Sequence, residues 1–366
     1  MSKRSPAGLQ CAYLTPDAFD RRLARQASSM LGGVCFMQAG GGRSAEAGLD
    51  RLAIPLAQIS MPPLGSRAPA ASLYEVWLAE GDIVRGSLGP VHYSYNDELL
   101  YGVIRIDEEQ FEGGQQQASS AELPLNLPLQ LASKRAYAAL FATADALGYP
   151  AVLRIWNYIA GINVESFGVE RYRQFNTGRQ DGFLASGRAV SGSVPAASAV
   201  GMRDGPLTIC FLASRGAVPT PIENPRQVSA YQYPQQYGAT SPTFSRASVA
   251  PLAGSDVLFL SGTASIVGHQ TLHVGDIVAQ AGETVVNISA ILDEANRVRP
   301  GLSLSLADLC CKVYVRDPAD VALLEAALRA MLGPAPVLLY VQADICRAGL
   351  AMEIEATAGH PVAFLA

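Results

Sequence analysis

"ADICRAGLAMEIEA" (343–356) puts a thiol, an arginine and two carboxylates into the last apolar segment of the chain. If 350–355 is a strand, Leu350, Met352 and Ile354 face one way and Glu353 and Glu355 the other, the two carboxylates about 7 Å apart by strand rise. Like charge and partial burial would both raise the pKa of a glutamate so placed. A solvated polar face is the plainer reading, and alternation alone does not choose between the two. Cys346 stands seven residues before Glu353, an odd separation that sets the pair on opposite faces of one regular strand. The chain must turn or bulge near Gly349 if the two side chains are to meet.

Working outward, "VLLYVQADI" (337–345) and "GLAMEIEATA" (349–358) read as closing strands, preceded by a helix in "PADVALLEAALRAML" (318–332) with Pro318 near its first turn. Before these come a strand in "LADLCCKVYVRD" (306–317), a helix over 276–296 with Asp276 as N-cap, and strands in "FSRASVAPL" (244–252) and "SDVLFLSGTASIV" (255–267). The same order occurs once earlier. "YEVWLAE" (74–80) and "VHYSYNDELLYGVIRID" (91–107) alternate like strands, and "SKRAYAALFATADALG" (133–148) reads as a helix from Ser133 to Gly148. "AVLRIWNYI" (151–159), a helical turn or longer helix at "ERYRQF" (170–175), and the buried strand "GPLTICFLAS" (205–214) follow. Strands, helix, strand, helix, strand, twice over, predicts an α+β fold of two units of mixed sheet packed with helices. The Gly-, Pro- and Ser-rich stretches "QAGGGRSAEAG" (38–48), "SMPPLGSRAPAAS" (60–72), "FEGGQQQASSAELPLNLP" (111–128), "GRAVSGSVPAASA" (187–199) and "PTPIENPRQ" (219–227) read as connections.

The totals bound the function. Of 366 residues 49% are apolar and 16% charged, which fits a compact enzyme better than a disordered regulator. A net charge of -5 gives no basic surface for nucleic acid. The polar opening "MSKRSPAGLQ" is no signal peptide, and no uninterrupted apolar run reaches the roughly 18 residues of a membrane span. Six cysteines with neither CxxC spacing nor scaffold density read as reduced thiols of a cytoplasmic protein. Cys310 and Cys311, Trp77 and Trp156 read as core. His92, His269, His273 and His360 form no metal-binding motif with a carboxylate, so no metal is expected.

The second pass resembles the RidA/YjgF-like unit, with its Ser-Gly turn in "LFLSGTASI", its long helix and its final "EIEA" strand. "RIWNYIAGIN" (154–163), "ERYRQFNTGR" (170–179), "ENPRQVSAYQYPQQYG" (223–238), "SGTASIVGH" (261–269) and "ADICRAGLAMEIEA", in that order, resemble the chorismatase family. The resemblance implies two RidA/YjgF-like (chorismate mutase-like) units fused in one chain: residues 1–200 a chorismatase N-terminal domain with a degenerate unit, 201–366 the C-terminal unit. It also implies cleavage of the enolpyruvyl ether of chorismate, without cofactor, by a monomer or weak homo-oligomer.

Such cleavage needs a proton delivered to the vinyl carbon. By its place in the motif Glu353 resembles the family's acid, while Glu355 reads as structural. A cysteine at the position of Cys346 goes with release of 3-hydroxybenzoate, its thiol steering the intermediate or accepting a proton during aromatisation. Chorismate is a dicarboxylate, and arginine's planar fork fits a carboxylate best. Arg154, Arg173, Arg179 and Arg246 are the chosen substrate-binding candidates, with Arg316 and Arg347 also in reach. Of the tyrosines of "AYQYPQQYG", Tyr231 and Tyr237 are assigned to the ligand, and Gly262 and Thr263 offer backbone N–H groups at a turn. Other outcomes stay open: a dihydroxycyclohexadiene carboxylate, a mixture with 4-hydroxybenzoate, a RidA-like imine deaminase, or a non-catalytic relative. Leu338 and Leu339 stand where the deaminases have an arginine, which counts against that activity.

Overall fold

Met352–Ala358 is the central strand of a seven-stranded sheet, between Ser255–Thr263 and Cys310–Val315, both antiparallel to it. The computed structural model describes residues 8–38, 53–65, 71–114, 126–252 and 254–365. Outside them lie residues 39–48 of the expected connection at 38–48, most of the polar opening, and parts of those at 60–72 and 111–128. Val337–Gln342 runs parallel to Cys310–Val315 on the far side, so residues 343–351 connect two strands that are not neighbours. The turn expected near Gly349 lies in that connection, where the Leu350 N–H donates to the Arg347 carbonyl (3.0 Å).

The alternation of the strand divides its surroundings. Met352 and Ile354 are fully buried against the helices Ile277–Val298 and Val321–Leu332. Leu350, expected beside them, packs into the opposite core. Asp276 caps the first of these helices, accepting from the Ala279 N–H at 3.0 Å. Pro318 opens a short 3-10 turn, Pro318–Asp320, ahead of the second.

A six-stranded sheet runs Ala196–Met202, Ala151–Ala160, Leu207–Ser214, Leu99–Ile106, Val91–Tyr95, Val84–Leu88. The helices Pro128–Leu147 and Arg171–Ala185 cover its outer face. The first of these starts five residues before Ser133, because Pro128 suits the first helical position, where no N–H is needed. It stops at Gly148 as expected, in the left-handed conformation (φ 80°) that glycine adopts without strain. A division at 200/201 falls inside Ala196–Met202. Leu207–Ser214 pairs with Ala151–Ala160 and Leu99–Ile106, so this sheet continues to Ser214.

A third sheet stands beside these two. Five strands, Val362–Leu365, Gln10–Leu14, Ser72–Leu78, Met30–Met37 and Leu56–Ser60, carry the helix Pro16–Gln26. It takes up Ser72–Leu78, which the two-pass reading placed with 91–107. The helix-free faces of the three sheets share one core, in which the Trp77 ring lies 5.8 Å from Trp156 and 6.3 Å from Phe259. Among the described residues no helix is long and apolar enough to cross a membrane.

Candidate active site

Where the edge strand Ala196–Met202 meets the seven-stranded sheet there is a cavity of about 250 Å³. Backbone bonds join the two sides: the Ser245 N–H donates to the Pro195 carbonyl (3.1 Å), and Gly201 and Asp344 exchange bonds of 2.7 and 3.1 Å. Glu353 and Cys346 share the cavity wall, because the turn after Cys346 undoes the odd spacing that would have separated them.

Glu353 is 4% exposed. Burial raises its pKa first, the charge of Glu355 adds to that, Arg154 and Arg246 oppose it, and the net is a carboxyl pushed up to about 8. Such a group is a neutral acid at neutral pH. Glu355, two residues on, is as deeply buried but differently partnered. Lys312 Nζ lies 2.8 Å from its carboxylate and Arg154 Nη2 2.7 Å, while the Ser198 hydroxyl (2.6 Å) and Trp156 Nε1 (3.1 Å) donate to it. Burial still works against its charge, but the cations outweigh burial and hold the carboxyl down at about 2. Lys312 also reaches Glu75 at 2.6 Å, closing a buried ion cluster.

The cavity's opposite walls are cationic. Arg179, 1% exposed, comes from the helix Arg171–Ala185 and donates to Asn176 Oδ1 (2.7 Å). Arg246 donates to the Val228 carbonyl and the Tyr233 hydroxyl, both at 2.8 Å. Arg347 donates to the His269 carbonyl (2.8 Å) and lies 4.1 Å over the Tyr237 ring. Among the described residues Arg179 Nε, Arg246 Nε and Arg347 Nη2 are buried without an acceptor. Buried donors left over on planar guanidinium groups are matched to carboxylate oxygens. Burial, with Glu353 adding, pushes the Cys346 thiol up to about 12 against Arg347 and Arg246, so it stays a neutral thiol. Among the described residues no three His, Cys, Asp or Glu side chains are grouped as metal ligands.

Residues 75–213 match the N-terminal part of the chorismatase FkbO/Hyg5-like family. A chorismatase of Streptomyces rapamycinicus is 36% identical over 290 residues, covering 78% of this chain and 81% of the relative. The chain belongs to the chorismatase family. A 3-hydroxybenzoate synthase of Streptomyces hygroscopicus is 33% identical over 297 residues, 79% of this chain and 82% of that one. A chorismatase crystal structure matches 96% of this chain and 98% of its own at TM-score 0.78 and 26% identity.

Against this cavity, the residues singled out in the sequence divide. Glu353, Cys346, Arg179, Tyr237, Arg246 and Gly262 line the cavity, with Arg173 at its rim, ion-paired to Glu170 at 3.3 Å. Arg154 does not line it: its Nη2 is committed to Glu355 and Ser198. Tyr231 sits on the 3-10 turn Ala230–Gln232 and leaves the wall to Tyr233. The backbone N–H expected to serve a ligand is taken at Gly262 by Ser198 Oγ (3.0 Å), and Thr263 does not line the cavity, its hydroxyl donating to the Ser261 carbonyl at 3.0 Å. Arg316 braces the turn instead, donating to the carbonyls of Leu350 (3.0 Å) and Arg347 (3.1 Å). Glu170, Tyr172, Ser198 and Phe244 line the cavity without having been singled out. For the first two the signal was their place in "ERYRQF"; Ser198 and Phe244 carried none.

Proposed function

We propose that this chorismatase cleaves the enolpyruvyl ether of chorismate, releasing pyruvate and 3-hydroxybenzoate. One observation carries the reading: a buried carboxyl raised to about 8, Glu353, shares a cavity with Arg179, Arg246 and Arg347. The arginines hold the two carboxylates of the substrate and so fix its ring and side chain. Neutral Glu353 gives its proton to the terminal vinyl carbon, and the electron pair of the double bond forms the new C–H bond. The ether carbon becomes oxocarbenium-like, facing the Glu353 carboxylate just formed, and opposite charges stabilise each other in a dry site. With water excluded, the neighbouring ring hydroxyl attacks the ring carbon that bears the ether and passes its proton to the Glu353 carboxylate. That carbon's bond to the ether oxygen breaks, the freed electron pair becomes the C=O of pyruvate, and the epoxide left on the ring opens to 3-hydroxybenzoate as one proton moves from ring carbon to oxygen.

Chorismate contains the atoms of pyruvic acid and a hydroxybenzoic acid with none left over, whereas a dihydrodiol takes up one water. A neutral thiol beside Glu353 offers an incoming water little to bind, which disfavours hydration of the ether carbon and favours attack of the ring hydroxyl on the ring carbon, and so the aromatic product. The same reading has the chain act as a monomer or weak homo-oligomer. It places the enzyme in the cytoplasm, in keeping with six free cysteines.

Chromatography of chorismate incubated with the purified protein tests the proposal. Pyruvate and 3-hydroxybenzoate are expected in equal amounts. No pyruvate would sink it; a dihydrodiol or 4-hydroxybenzoate would keep the ether cleavage and replace the product.

A further inference from the structure

The strand Ser255–Thr263 is irregular where it passes the acid. Leu260 pairs with Ala356 and Thr263 with Ile354, so Ser261 and Gly262 both stand opposite Glu355, a β-bulge. The bulge presses Gly262 onto the acid: a Cβ there would lie 2.0 Å from Glu353 Oε1 and 2.6 Å from Cδ. Bulges leave backbone groups unpaired, and here side chains take them up. Ser198 Oγ accepts from the Gly262 N–H at 3.0 Å and donates to Glu355 at 2.6 Å, while Arg154 donates to it. Ser261 Oγ accepts from the Ala197 N–H (2.9 Å) and donates to the Ser245 carbonyl (2.6 Å). The hydroxyl of Ser198 thus has its proton and both lone pairs assigned, and is fixed in place by a salt-bridged pair.

We propose that Ser198 is a positioning residue for the reaction, holding the Ser261–Gly262 bulge so that Gly262 keeps the Glu353 carboxyl dry and aimed into the cavity. The inference rests on Glu353 being the acid. It gives the buried cluster of Glu75, Lys312, Glu355 and Arg154 a part in catalysis at one remove, as the anchor of the hydroxyl that holds the bulge. The ionisable groups around Glu353 are Glu355 on its own strand, Arg154 on Ala151–Ala160, Arg246 beside Ala247–Leu252, Cys346 in the connection, Tyr314 on Cys310–Val315 and Tyr172 on the helix Arg171–Ala185. Ser198→Ala removes none of them. What it changes is the seat of Gly262, and so the access of water to Glu353.

Three readouts test this: kcat, KM and the pH at which kcat/KM falls on the basic side. In Ser198→Ala, kcat should drop about 10- to 100-fold, the size of effect that small misplacements of a reacting group produce, with KM within about threefold. The basic limb should move to lower pH as Glu353 takes up water. Ser198→Cys, close in size but a weak hydrogen-bonding group, should move both quantities the same way and stands in if the alanine variant does not fold. An unchanged kcat and basic limb, or a loss confined to KM, overturns the proposal. Absence of pyruvate release by the unsubstituted protein would instead overturn the assignment of Glu353.

Discussion

Glu353 and Glu355 sit two residues apart on one face of one strand, 4% and 5% exposed, yet one is raised to about 8 and the other lowered to about 2. Burial is the same for both. The difference lies in what touches each carboxylate: Lys312, Arg154 and Ser198 bind Glu355 directly, whereas Glu353 feels Arg154 and Arg246 only at longer range. A pair of cations within hydrogen-bonding distance therefore decides which glutamate stores a proton and which stores a charge. The charge on Glu355 in turn helps keep Glu353 protonated.

Removing each carboxylate in turn should separate the two roles. Glu353→Gln keeps the shape of the side chain and removes the proton donor. Pyruvate release should fall about 10³-fold or more, near the upper range for a general acid, while the urea midpoint at neutral pH does not fall and moves upward if it moves. Retained turnover would move the acid elsewhere. Glu355→Gln should act on stability instead, by about 3–5 kcal/mol in urea unfolding, because Arg154 and Lys312 stay buried after losing a shared anion.

The two also differ in sign with pH. Glu355 binds fewer protons folded than unfolded near pH 3, so its stabilisation is full above about 4.5 and lost as pH falls towards 2. Glu353 does the reverse, and stability falls as pH rises from about 4.5 through 8. Glu353→Gln should flatten that second slope and leave the acid one. In the unsubstituted enzyme kcat/KM should decline as pH rises through about 8. In Glu355→Gln that decline should begin lower, since the neighbouring negative charge is gone.

How far the sequence reached follows from what each signal depends on. The alternation of "MEIEA" showed which faces were which, and the odd step from Cys346 to Glu353 demanded the turn that the chain makes. Period-2 and period-3.6 patterns are local, so strands and helices could be read from them. The third sheet could not, because its strands come from both ends of the chain: Gln10–Leu14 pairs in parallel with Val362–Leu365. The fate of Arg154 was hidden for a similar reason. Its partner lies 201 positions away, and nothing near "RIWNYI" shows that its Nη2 goes to Glu355 and not to a ligand. Thr263 fell to a simpler cause: past the bulge it pairs with Ile354 and shares that residue's helix-covered face, away from the cavity.

The smallest expected effect in rate concerns Cys346, and it tests how the Glu353 side of the comparison chooses a product. Burial keeps its thiol neutral, so it is no thiolate base for drawing a proton from the ring. What it offers is a weakly hydrating wall beside the acid. Cys346→Ala enlarges the cavity there by about one sulfur atom, room that brings a water closer to the ether carbon. Pyruvate release should change less than about tenfold, since neither Glu353 nor the arginines are touched. The product ratio should shift from 3-hydroxybenzoate towards the water-containing dihydrodiol, read by chromatography of one reaction. If both rate and ratio stay as they were, the thiol packs the wall and does not steer, and the choice of product must lie with Tyr172, Phe244 or another residue of the cavity wall.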